Sequence, residues 1–158
     1  MPLIRVAVAD DDTVFRRALV DVLGTDPRFQ VVVEATTGAG LGQAVLAARA
    51  DLVLLDVRMP EGGAVAARAV REATAGWSRT PVLVVVSADS SVHTVVAMVR
   101  AGVAGYLVKG RIGSALGELL VRCVDGEVVL AVPRAVDVFD LLARTPPSAQ
   151  ADQGARGA

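Results

Sequence analysis

Leu52-Val53-Leu54-Leu55-Asp56-Val57 is apolar throughout except for one carboxylate near its end. A strand with one wet face would alternate apolar and polar residues. An uninterrupted run reads instead as a strand buried on both faces, as in a parallel sheet. Four more runs of this kind flank it: Leu3–Ala9, Phe29–Ala35, Pro81–Val86 and Gly105–Val108. The segments between them carry apolar residues at helical spacing. Val14, Phe15, Ala18, Leu19, Val22 and Leu23 form one stripe, which Gly24 can close. Leu41, Ala44, Val45 and Ala48 form a second, and Val65, Ala69 and Val70 a third. Val92, Val95, Val96 and Val99 make the fourth; Ile112, Leu116, Leu119, Leu120 and Cys123 make the fifth. Five strand–helix repeats require parallel strands joined by right-handed crossovers. The expected fold is a doubly wound (βα)5 α/β domain.

Beyond Gly126 the rhythm changes to a short Val128–Val132 run and a helix from Pro133 to Ala143, proline being tolerated at a helix's first position. From Thr145 the residues are those of a disordered tail or linker. The division is therefore 1–126 for the main domain, 127–144 for the extra strand and helix, and 145–158 for the tail. A chain of 158 residues suits one such domain. Sixteen basic side chains against seventeen acidic ones leave a net charge of −1, which argues against nucleic-acid contact by this chain. No apolar run approaches the ~20 residues that span a bilayer. A single cysteine rules out an internal disulfide and suits a reducing cytosol. The expected protein is soluble and cytoplasmic, with no membrane contact.

In an open α/β sheet, ligands bind beyond the carboxyl ends of the strands, where strand order reverses. The first run ends in Asp10, Asp11 and Asp12, the third in Asp56, the fourth in Ser87 and the fifth in Lys109. The second ends in Glu34-Ala35-Thr36 and adds nothing of the kind. In the strand order 2-1-3-4-5 the acidic cluster lies at the switch point, with a hydroxyl and an ammonium beside it. Clustered carboxylates cannot all stay ionised without a cation, and a hard divalent ion with oxygen ligands, Mg²⁺, resolves the repulsion. Three carboxylates, one Mg²⁺ and one ammonium sum to zero charge. Asp56 can then act as a carboxylate nucleophile towards a phosphoryl group, with the metal and Lys109 neutralising the transferring oxygens. Lys109 is the only lysine among sixteen basic residues, which suggests a need for a compact ammonium rather than a guanidinium fork.

Val-Ala-Asp10-Asp11-Asp12, Leu-Leu-Asp56-Val-Arg58-Met-Pro60, Val-Val-Ser87-Ala88 and Gly105-Tyr106-Leu-Val-Lys109 together resemble the receiver domain of two-component response regulators, from Leu3 to about Asp125. The Ala-Gly-Val-Ala-Gly-Tyr-Leu-Val-Lys-Gly run and the extra strand and helix resemble the NarL/FixJ type. The resemblance implies a flavodoxin-like fold and a phosphorylation-controlled switch rather than an enzyme. It makes Asp56 the phosphoryl acceptor, with Asp10, Asp11, Asp56 and the backbone carbonyl of Arg58 around Mg²⁺. It makes Lys109 and Ser87 the phosphoryl contacts, and Ser87 and Tyr106 the switch pair that reshapes the face of the fourth helix, fifth strand and fifth helix. A sensor histidine kinase is the implied donor, and a homodimer on phosphorylation a further partner. Members of this type usually continue into a DNA-binding domain; the sequence to Ala158 has none, as expected of a receiver part of a transcriptional regulator or of a stand-alone one. Gly110 stands where many receivers carry proline, which leaves the isomer of the Lys109–Gly110 peptide open.

Two other functions compete. Asp10-Asp11-Asp12-Thr13-Val14 also resembles the motif of haloacid dehalogenase-type phosphatases, with Asp10 as nucleophile, but the acidic pair those enzymes carry beyond their lysine is missing. A receiver-like module that binds partners without phosphorylation is the other. Among single residues, Asp12 reads as the N-cap of the first helix and Asp89 as that of the fourth. Cys123 reads as core, His93 as a solvated helix residue, and Tyr106 taken alone as a half-buried strand tyrosine. Trp77 lies in a loop with no function assigned to it.

Overall fold

The computed structural model describes residues 2–144 of the chain. The strands β1 (Ile4–Ala9), β2 (Phe29–Ala35), β3 (Leu52–Leu55), β4 (Val82–Ser87), β5 (Gly105–Val108) and β6 (Val129–Ala131) form one parallel sheet. Their order is β2-β1-β3-β4-β5-β6, the anticipated 2-1-3-4-5 with the extra strand added beside β5. The connecting helices are α1 (Thr13–Gly24), α2 (Leu41–Ala48), α3 (Gly63–Ala73), α4 (Val92–Arg100) and α5 (Leu116–Val124); α6 (Ala135–Arg144) follows β6.

Successive strand residues point to opposite faces of the sheet, and both faces are covered. Ala7, Ala9, Val53, Leu55, Val85 and Tyr106 pack with the inner residues of α2, α3 and α4. Val6, Val8, Leu52, Leu54, Val84, Val86 and Leu107 pack with those of α1 and α5. Two cores, one per face, are why the strand runs show no alternation. Each fully buried valine or leucine contributes ~1.5–3 kcal/mol relative to an exposed one.

Three helices depart from the expected pattern. In α3 the inward residues are Gly63, Ala66, Ala67 and Val70, while Val65 is 64% exposed. The backbones of α2 and α3 approach so closely that a Cβ on Gly42 would sit 2.5 Å from the Ala69 carbonyl oxygen. Small residues, not the largest apolar ones, therefore occupy that contact. Next, α5 begins at Leu116 rather than Ile112, after two 3-10 turns at Lys109–Arg111 and Gly113–Ala115. The left-handed φ of Gly113, +51°, interrupts the α-helical ladder there. Finally, Arg134 is left-handed at φ +59°, so α6 starts at Ala135, beyond Pro133.

The C-terminal elements lie on a face the sequence left open. Gly105–Leu107 of β5 pair with Val129–Ala131 of β6, and α6 packs against α4. Val138 of α6 is fully buried in the same core as Val95, Val96, Met98 and Tyr106. The outer edge of β5 is thus covered by the chain itself. The expected tail, 145–158, lies outside the described residues. Among the described residues, no helix is long and apolar enough to cross a membrane.

Candidate functional site

Sheet register brings the polar strand ends together. Ala9 of β1 pairs with Leu55 of β3, so Asp10 and Asp56 emerge side by side past the sheet's carboxyl edge. The Asp56 amide donates to the Ala9 carbonyl at 3.0 Å, and the Asp10 amide to the Ala35 carbonyl at 2.9 Å, extending the ladder by one residue. Ser87 pairs with Val108, which delivers Lys109 to the same end.

The two carboxylates share one ammonium. Lys109 Nζ lies 2.7 Å from Asp10 Oδ2 and 3.0 Å from Asp56 Oδ2. Their other oxygens accept backbone amides, Asp12 N–H on Asp10 Oδ1 at 2.9 Å and Arg58 N–H on Asp56 Oδ1 at 3.1 Å. Both aspartates are almost wholly buried, whereas Asp11 is exposed. Carboxylate oxygens of Asp10, Asp11 and Asp56 all lie within 4.8 Å of one another.

Electrostatics separates the two buried acids. Burial raises the Asp10 carboxyl above the usual carboxylate range, against the opposing pull of Lys109 and the Asp12 amide. Burial also pushes Asp56 up, but the Arg58 amide, Lys109 and the Ser87 hydroxyl outweigh it and hold Asp56 below that range. Of the pair, Asp56 is therefore the more acidic and Asp10 the less. Burial lowers the Lys109 ammonium, and its two carboxylates more than reverse that.

Around this centre the β4–α4 loop forms a hub on Asp89. Its carboxylate accepts Arg58 Nη2 at 2.7 Å, the Ser91 amide at 3.0 Å and the Thr94 hydroxyl at 3.0 Å. Its amide donates to Ser87 Oγ at 3.2 Å, and its carbonyl accepts the Tyr106 hydroxyl. Burial works against the Asp89 carboxylate, but these donors hold it down at about 2. Ser91, not Asp89, occupies the N-cap of α4, and its own side chain makes no cap bond to the helix. Asp89 supports that end from two residues earlier. Tyr106 is fully buried rather than half-buried, and burial together with the Asp89 and Asp56 charges raises its phenol to about 12.

The structure brings Asp10, Asp11, Asp56, Ser87, Tyr106 and Lys109 to one end of the sheet. Asp12 takes its expected place as N-cap of α1, its Oδ1 accepting the Phe15 amide at 3.0 Å. The Lys109–Gly110 peptide is trans. Three contributors have no signal in the sequence. Phe15 turns its ring to the ammonium, Lys109 Nζ lying 4.4 Å from the ring centre. Arg16 Nη1 donates to the Asp10 carbonyl at 2.8 Å, and its Nε lies 3.8 Å from Glu34 at the end of β2. Gly38 lets the β2–α2 loop bond to Pro60 beyond Asp56, where a Cβ would collide with the Glu61 carbonyl. All three act through tertiary contacts rather than spacing along the chain.

Residues 6–120 match the model of the response regulator receiver domain. The DNA-binding transcriptional activator DevR/DosR of Mycobacterium tuberculosis is 38% identical over 109 residues, covering 68% of this chain and 48% of that protein. The solved signal receiver domain of NarL from the same species superposes with a TM-score of 0.72 at 30% identity, covering 80% of this chain and 100% of that one. A LuxR-family response regulator from Aurantimonas sp. SI85-9A1 covers 90% of this chain and 100% of its own with a TM-score of 0.79 at 18% identity, a likeness of fold alone. The chain spans about half the length of the curated relatives it matches.

Proposed function

The chain belongs to the response regulator receiver domain family, the signalling component of two-component systems, and from that premise we propose that it accepts a phosphoryl group on Asp56 from a sensor histidine kinase. The observation that carries this reading is the single ammonium of Lys109, held 2.7 Å from Asp10 and 3.0 Å from Asp56 beside the exposed Asp11. A carboxylate oxygen of Asp56 attacks phosphorus, the bond from phosphorus to the donor nitrogen breaks with its electron pair staying on that nitrogen, and an acyl phosphate forms on Asp56.

The donor set fits a hard divalent cation: three carboxylates with oxygens within 4.8 Å, one facing solvent, and no soft ligand among them. Asp10, Asp11, Asp56 and the Arg58 carbonyl would hold Mg²⁺, which when bound offsets negative charge on the transferring oxygens. Lys109 supplies the protein's own positive charge there, and Ser87 a hydroxyl that can donate to a phosphoryl oxygen. Ser87 and Tyr106 then form the switch, acting on the α4 face through Asp89. Transcription control is the output, with DNA contact made outside residues 2–144; a kinase partner puts the domain in the cytoplasm, and phosphorylation would favour a homodimer. The complete set of Asp10, Asp11, Asp56, Ser87 and Lys109 favours this over a binding module that needs no phosphorylation.

Mass spectrometry after incubation with a small phosphodonor tests the proposal. The expected result is one added phosphoryl group that requires Mg²⁺ and is absent in Asp56→Asn. Full labelling of that variant would refute the acceptor. Turnover of the donor with no held group would indicate the phosphatase reading, with Asp10 as nucleophile.

A further inference from the structure

We propose that Phe15 is a positioning residue for Lys109, its ring helping to hold the ammonium where it meets the two aspartates. This rests on the phosphoacceptor reading above. The Asp12 side chain accepts the Phe15 amide at 3.0 Å and so fixes the first turn of α1. That turn carries the half-buried ring to the strand ends, with its centre 4.4 Å from Lys109 Nζ. The ammonium therefore meets carboxylates at 2.7 and 3.0 Å as well as an aromatic ring, and its side chain is only 14% exposed.

An aromatic face is a particular kind of neighbour for a cation. Its quadrupole attracts the charge, yet it offers no lone pair to take an N–H away from the acceptor side. A carboxylate or hydroxyl at position 15 would compete for the same protons, and an aliphatic side chain would exclude water without attracting the charge. When a phosphoryl group arrives on Asp56, the ammonium has to follow negative charge onto the new oxygens. Attraction to a ring depends on distance to its centre more than on one donor direction, so the contact can persist through that movement. Phe15 thus keeps Lys109 at the reacting group without adding charge to a site whose balance depends on few ions.

The solitary lysine makes the test unusually direct. Lysine-selective labelling gives NMR signals from Lys109 alone. In the wild-type chain its ε-methylene protons should be shifted upfield by the ring, and the shift should vanish in Phe15→Leu. That variant should take up phosphoryl from a small donor with Mg²⁺ about 3- to 10-fold more slowly, the range expected for losing a partly desolvated cation–π contact. Phe15→Trp should restore both shift and rate, which general loosening of the core would not predict. Ordinary ε-methylene positions in the wild type would overturn the proposal without any variant. So would an unchanged rate in folded Phe15→Leu, or a folded Phe15→Trp that stays slow. A wild-type chain with the shifted signal but no phosphoryl uptake would overturn the acceptor reading, and the positioning role with it, while leaving the contact itself in place.

Discussion

Raising the pH tests the buried hydroxyl of Tyr106, the chain's only tyrosine. Burial and the neighbouring Asp89 and Asp56 charges raise its phenol to about 12, against about 10 for an unfolded chain. The folded-state value is the higher one, so the stability it represents is fully present below pH ~10. Between ~10 and ~12 the unfolded state loses its proton while the folded state keeps it, and stability falls. Two units at 1.36 kcal/mol each give a loss of about 2.7 kcal/mol, complete above pH ~12. Cys123, pushed up to about 11 by burial from about 9, loses its contribution with the same sign in an overlapping but lower window, between about 9 and 11. Tyr106→Phe isolates the phenol's share. At about pH 8 the variant should be less stable by about 1 kcal/mol, because the Asp89 carbonyl loses its donor. By about pH 12 the order should reverse, the wild type having lost more than that margin. Urea unfolding followed by Trp77 fluorescence measures the difference, and near-ultraviolet absorbance follows phenolate formation. A phenol that titrates near 10, or a wild type that keeps its full advantage in base, would refute the buried, bonded placement of Tyr106.

Asp11→Ala should weaken Mg²⁺ binding at least several-fold by titration calorimetry, since it removes one of three clustered carboxylates; unchanged affinity would exclude Asp11 as a ligand. Ser87→Ala should still accept phosphoryl on Asp56 yet show a much smaller change in amide exchange across residues 92–109 on binding a phosphoryl mimic, and equal changes would send the signal by another route. Val138→Ala should cost about 2 kcal/mol in a denaturant melt, because Val138 is fully buried beneath α4. A loss of only a few tenths would mean that α6 is loosely held.

Sequence made the sheet readable because its central strands lie between two cores. A residue such as Leu54 or Val85 has nowhere to face but inward, so the run itself states the architecture. The candidate site was readable for a related reason: Asp10, Asp56 and Lys109 each follow immediately on a strand and Ser87 ends one, and parallel pairing turns four positions along the chain into one place. What the sequence concealed is contact between elements. The inward residues of α3 are alanines because α2 lies so close, and no hydrophobicity count favours Ala66 over Val65. Phe15 reads as one more apolar position in a stripe, since only the fold brings its ring to a lysine 94 positions later. The helix boundaries at Leu116 and Ala135 depend on left-handed turns at Gly113 and Arg134, and an arginine gives no warning of such a turn.

The cover on β5 changes what a signal leaving this site must do. Asp89 touches both residues of the proposed switch, Ser87 through its amide and Tyr106 through its carbonyl, and its carboxylate accepts from Arg58, Ser91 and Thr94. A phosphoryl group that draws the Ser87 hydroxyl towards Asp56 need not break the bond from the Asp89 amide, because a hydroxyl donates and accepts at once. It must reorient it, however, and the loop that carries Asp89 leads directly into α4. A charge-assisted hydrogen bond of ~1.5–3 kcal/mol can change a two-state population ratio by roughly one to two decades. Were β5 an open edge, that bias would be expressed on a surface made by α4, β5 and α5. Here β6 lies along β5, and Val138 of α6 shares a core with Val95, Val96 and Met98 of α4. Close-packed neighbours resist independent displacement, so a rearrangement of α4 has to be accommodated at its contact with α6. Within residues 2–144, the packing of Val138 against α4 is therefore one contact that a movement of α4 would disturb.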